Sequence, residues 1–120
     1  MKRELGLFIE DILESVKLID KHIGDTSKEN FGNNQKLKDS IVRRLEIIGE
    51  AVKNIPNDFK EKYPAVPWKK IAGLRDIIIH TYFNIDLDIT WEIIKKDLPD
   101  LKEKILKIKK DLEEGKKSKN

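Results

Sequence analysis

An all-α fold, an up-and-down bundle of four main helices with short extra helical turns, is predicted by three features of the sequence. Apolar residues recur at steps of three and four along four separate stretches. Glycine, proline and asparagine breakers separate those stretches. No run alternates apolar and polar residues as a half-buried strand would, and no internal repeat is present.

The first helix is predicted over about residues 2 to 22, with Leu5, Phe8, Ile9, Ile12, Leu13, Val16 and Ile19 on one stripe. Gly24 supplies the left-handed residue that ends it. In the polar stretch after it, Ser27 is placed to cap a short turn that tucks Phe31 inward. The second helix starts near Asn34 and carries Leu37, Ile41, Leu45, Ile48 and Val52 on one face. Pro56 closes it, because the residue before a proline resists the helical conformation. Residues 57 to 63 suit one more short turn, and residues 63 to 67 a loop. Pro67 reads as the first residue of a third helix, where its missing N–H does no harm; that helix runs to about Thr81. Asn84-Ile85-Asp86 breaks the pattern, and Asp86 is placed to cap a fourth helix. Leu87, Trp91, Ile94, Leu98, Leu101, Ile105, Ile108 and Leu112 form its heptad-like seam. The phase of that seam survives Pro99, so the proline reads as a kink and not a break. Gly115 is expected to end the helix and leave a basic, disordered tail. Residues 1–114 are thus read as one helical domain and 115–120 as its tail. Gly49 and Gly73 fall inside the second and third helices, where a close helix crossing explains them; the alternative is room for a ligand.

Composition bounds the function. A chain of 120 residues holds one domain with a small core, and pairing with a copy of itself would add stability. Charged residues make up 39% of it, yet the net charge is only +3, which permits an acidic partner such as RNA without requiring one. The absence of cysteine fits a reducing compartment and excludes both a disulfide scaffold and thiolate-bound zinc. No apolar run approaches the roughly 20 residues needed to span a bilayer, and the chain opens directly on a charged amphipathic pattern. These features predict a cytoplasmic protein without a signal peptide or a membrane partner.

The chemistry concentrates in the third helix, at Leu74-Arg75-Asp76-Ile77-Ile78-Ile79-His80-Thr81-Tyr82. Arg75, Asp76 and His80 flank an isoleucine run that is expected to be buried. Asp76 and His80 stand four residues apart, on one face of a helix, where a carboxylate holds one imidazole nitrogen and leaves the other free to move protons. Arg75 and His80 flank a groove without stacking. Other polar residues carry blander readings. His22 ends the first helix, where a cation suits the helix dipole. Glu46 and Glu50, beside Arg43 and Arg44, read as a salt-bridged outer face.

Elimination narrows the reaction type. Neither histidine has a second histidine nearby, no Glu-x-x-His is present, no nucleophile elbow appears, and no Gly-rich phosphate loop exists. Acid–base chemistry by one His with one Arg remains, with no metal and no cofactor. That pair suffices for RNA cleavage if a base takes the ribose 2′-OH proton and a cation stabilises the charged phosphorane. One His cannot easily serve as base and acid at once. A two-fold dimer with this helix near its axis would bring two His80 and two Arg75 into one cleft.

The whole chain resembles HepT-like proteins of the HEPN superfamily. Arg75, His80 and Tyr82 fit the R-x-x-x-x-H-x-Y signature. Leu45-Glu46-Ile47-Ile48-Gly49-Glu50-Ala51 resembles the family's second block. Pro67 through Leu74 resembles the lead-in to the signature, and Asp97-Leu98-Pro99 the final helix. Asp76 replaces the Asn that often follows the signature Arg. The resemblance implies a four-helix bundle and a ribonuclease toxin of a type VII-like toxin–antitoxin pair. It implies a partner too, an MntA-type minimal nucleotidyltransferase antitoxin that transfers AMP from ATP to the signature tyrosine, here Tyr82. An adduct carrying a phosphate would occupy the Arg75 site and repel RNA. Two other classes compete with this reading: a non-catalytic helical dimer that binds a nucleotidyltransferase or RNA, and a nucleotide-binding subunit that uses Arg75 for phosphate.

Overall fold

The computed structural model describes residues 2–74, 76–78, 83 and 86–118. Among them every element is helical and no strand occurs. The long helices are α1 (Lys2–Ile23), α3 (Gln35–Asn54) and α7 (Leu98–Ser118). Shorter pieces are α2 (Lys28–Gly32), α4 (Asn57–Glu61), α5 (Trp68–Ala72) and α6 (Leu87–Glu92). The bundle is elongated, 52 × 25 × 21 Å. No described helix is long and apolar enough to cross a membrane.

The core follows the apolar stripes. Ile9, Ile12, Leu13, Val16 and Ile19 of α1 are at most 3% exposed, as are Ile41, Leu45, Ile48 and Val52 of α3 and Leu98, Leu101, Ile105 and Ile108 of α7. Each such side chain stabilises the fold by about 1.5–3 kcal/mol through burial. α1 packs chiefly against α3 and then α7. A salt bridge of 2.7 Å between Lys109 of α7 and Glu10 of α1 closes the exposed edge of that seam and raises the Lys109 pKa.

The predicted helix ends hold where a side chain makes them. Gly24 adopts φ +50° and donates its N–H to the Asp20 carbonyl. Ser27 accepts from the Asn30 N–H at 3.1 Å, and Phe31 is fully buried with its ring 5.7 Å from that of Trp91. Asn34 caps α3 through the Leu37 N–H, and Ile55 is extended before Pro56. Asp86 caps α6 through the Ile89 N–H at 3.1 Å. α2 lies close against α6: a Cβ added at Gly32 would come within 2.8 Å of Leu87.

Two expectations are corrected. The third helix is not continuous. Pro67 stands one residue before α5, and Gly73 ends that helix, with helical conformation resuming at residues 74 and 76–78. Among the described residues Gly73 meets no close crossing: an added Cβ would make only ordinary contacts with the Lys69 and Lys70 carbonyls. Gly115 does not end the last helix: α7 runs through it to Ser118, because the chain there has no left-handed residue and no crowding. Pro99 does not break the helix, as the surviving phase of the seam predicts: α7 runs through it. A π-turn at Ile93–Asp97 joins α6 to α7, with the Leu98 N–H bonded back to the Ile93 carbonyl. That wider turn accommodates the residues just ahead of the proline.

Tyr63, in the loop before α5, donates its hydroxyl to Asp111 of α7 at 3.0 Å. Burial, and then this bond to a carboxylate, raise the phenol above its ordinary pKa of 10.0. A group that holds its proton more tightly in the folded state stabilises the fold below its unfolded pKa. That contribution is lost as pH rises through the folded pKa. Tyr63→Phe is expected to cost only about 0.5 kcal/mol at neutral pH, since the pair is solvated. The variant should also lose less stability than wild type between neutral pH and pH above 10. Parallel denaturant titrations at both pH values check this; equal losses would show that the bond does not titrate.

Candidate functional site

α5 is only one turn and a half long, too short to be stable alone, so tertiary contacts set its place. Trp68 anchors its start. The indole Nε1–H is shared between the Lys60 carbonyl at 3.1 Å and the Tyr63 carbonyl at 3.0 Å, and the ring is 9% exposed. Val66, Ile71 and Leu74 complete the inner face, each at most 4% exposed. α5 thereby lies against α3, on which Gly49 is buried.

Gly73 marks the change of helix. Its N–H bonds to the Lys69 carbonyl at 3.1 Å, and its own carbonyl accepts the Asp76 N–H at 3.0 Å. The segment beyond it faces α6 and the π-turn across a groove of about 420 Å³. Leu74, Ile77, Ile89 and Ile93 provide its apolar wall, and Asp76, Glu92 and Asp97 its acidic rim. Lys70 crosses the groove to Asp97 at 3.1 Å. Ile89 is 42% exposed. Ile77 and Ile78 are half-buried against the core, so these two members of the isoleucine run are not sealed as expected. A single chain leaves that apolar surface partly open.

Of the predicted site residues, Asp76 is described. It is exposed and contributes to the groove rim. Arg75, His80 and Tyr82, with Ile79, Thr81, Asn84 and Ile85, lie outside the described residues. Phe83 is 69% exposed. Among the described residues no three His, Asp or Glu side chains converge in the manner of a metal site. His22 is exposed in the last turn of α1, as expected.

The outer face of α3 differs from expectation. Arg43, Glu46 and Glu50 are exposed and Arg44 half-buried, but none of the four forms an ion pair among the described residues. Arg43 and Glu46 are three apart with the cation first, the weaker orientation for a helical pair. Sequence reasoning missed the groove residues Lys70, Ile89, Glu92 and Asp97. The available signal was that Lys70 and Asp97 each belong to a recognised sequence block; their ion pair joins the lead-in block to the final one.

Comparison with known proteins agrees with this architecture. Residues 12–108 match the ribonuclease HepT-like family. A Methanocaldococcus jannaschii protein named gamma-glutamylcyclotransferase and putative RNase is 46% identical over 119 residues, 99% of this chain and 54% of its own length. The chain therefore spans about half of that relative. A Thermococcus cleftensis protein named probable ribonuclease HepT is 44% identical over 110 residues, covering 92% of this chain and 100% of its own. A second M. jannaschii protein, named putative RNase, is 46% identical over 113 residues, 94% of this chain and 97% of its own. No solved structure matches the chain significantly. On the extent of the family match and the identity to full-length relatives, the chain belongs to the HepT-like ribonuclease family.

Proposed function

We propose that this chain is a metal-independent endoribonuclease, the toxin of a toxin–antitoxin pair, that acts as a two-fold dimer. One domain, residues 1–114, carries the activity. The observation that carries the reading is the family match over residues 12–108, which contains the entire Arg75-to-Tyr82 segment. His80 takes the proton of a ribose 2′-OH, and that oxygen attacks the adjacent phosphorus. Arg75 stabilises the charged phosphorane. A second His80 in the dimer returns a proton to the leaving 5′-oxygen, giving a 2′,3′-cyclic phosphate and a 5′-hydroxyl. Asp76 orients His80. The half-buried Ile77 and Ile78 and the exposed Ile89 support dimerisation, since a partner copy would cover apolar surface that one chain leaves open. Tyr82 accepts AMP from an MntA-type nucleotidyltransferase antitoxin, which silences the enzyme.

Purified protein incubated with RNA in excess EDTA is expected to cut it and leave cyclic-phosphate ends. Cleavage that appears only after a divalent cation is added back would overturn the mechanism.

A further inference from the structure

The geometry points to the Lys70–Asp97 ion pair as the positioning contact of the proposed ribonuclease site. It sets how Leu74 and residues 76–78, beside which Arg75 stands in sequence, lie against the π-turn at Ile93–Asp97. This inference rests on the ribonuclease reading above.

The contacts of α5 leave its outer side to the ion pair. Trp68 pins the start of the helix through two hydrogen bonds, and Ile71 and Leu74 hold its inner face in the core. These anchors hold the start and the inner face of the helix. Gly73 ends α5 at the junction, and among the described residues an added Cβ there would meet only the Lys69 and Lys70 carbonyls. On the outer side, Lys70 Nζ reaches Asp97 Oδ2 at 3.1 Å across the groove that Gly73, Leu74, Asp76 and Ile77 line. It is the one ion pair among the described residues that joins α5 to the π-turn at Ile93–Asp97.

The acid's own mounting is unusual. Asp97 ends the π-turn, whose extra residue per turn rotates α7 relative to a plain α-helical continuation of α6. The turn lies immediately before Leu98 and Pro99, where the proline offers no N–H to the preceding turn. The side chain of Asp97 is 31% exposed and that of Lys70 is 62% exposed. A pair so solvated contributes little to overall stability. Its contribution is direction, because it ties down the outer side of a five-residue helix at the point where the signature segment begins.

The test is a charge exchange. Asp97→Asn and Lys70→Gln are each expected to lower kcat about tenfold, with KM and thermal stability nearly unchanged, because small misplacements of catalytic groups are costly. Lys70→Asp combined with Asp97→Lys should recover most of that loss. Lys104→Gln, which removes the 2.8 Å pair with Asp100 on α7 alone, is the control and should change nothing. Hydrogen–deuterium exchange over residues 74 and 76–78 gives a readout independent of activity: it should quicken in both single variants and revert in the exchanged pair. Unchanged exchange in the single variants, or an exchanged pair no better than either, would overturn the inference. If wild-type protein cuts no RNA, the ribonuclease reading fails, whereas the exchange data still decide whether the pair positions the segment.

Discussion

His80→Ala is expected to cut RNA about 10² to 10⁴ times more slowly than wild type, the range over which a positioned acid or base contributes to a rate. The loss should lie toward the upper end, because in a two-fold site one substitution removes both the base and the acid. Arg75→Ala should lose cleavage by a different route, through the missing charge on the phosphorane. Neither variant should unfold. Neither substitution removes an apolar side chain of the helical stripes, so helical circular dichroism and melting should stay close to wild type. Single-turnover rates on a short RNA, measured beside a melting curve, separate the two effects. Wild-type rates from His80→Ala would show that this imidazole is not the proton carrier.

The fold was largely legible because its determinants are local. The stripe of α1, the seam of α7 and the caps at Ser27, Asn34 and Asp86 each depend on residues within one or two turns, and each stands where the pattern put it. The break at Gly73 was hidden for a physical reason. Ile71 and Leu74 keep a three-residue step across it and both are buried, so the periodicity passes through a turn that the backbone does not. Gly115 misled in the opposite sense: glycine favours a helix end only where a left-handed residue is needed, and this one sits in open space within a helix. The Lys70–Asp97 contact joins residues 27 positions apart, beyond the reach of any periodicity. The candidate site was legible only as residue types at fixed spacing. Spacing shows that Asp76 and His80 can share a face, while the groove beside Asp76 is built by α6 and the π-turn, which no local pattern brings there.

Tyr82→Phe tests the regulatory half of the proposal, and its expected effect is all-or-none. The substitution keeps the ring and removes only the oxygen that would accept AMP. Folding should be unaffected and most cleavage activity retained, since the proposed proton carrier and cation are His80 and Arg75. The difference should appear on co-expression with a cognate MntA-type nucleotidyltransferase. Wild-type protein should become non-toxic and carry added AMP at Tyr82 by mass spectrometry. Tyr82→Phe should stay toxic and carry none. The physical basis is substrate mimicry: a nucleotide phosphate attached two residues beyond His80 would place negative charge beside Arg75 and repel the RNA backbone. An inhibitor acting by binding alone makes the opposite prediction, because a surface that recognises the folded protein scarcely registers one hydroxyl. If the partner silenced Tyr82→Phe as well as wild type and neither carried an adduct, inhibition would be by binding, and Tyr82 would have no role as an acceptor.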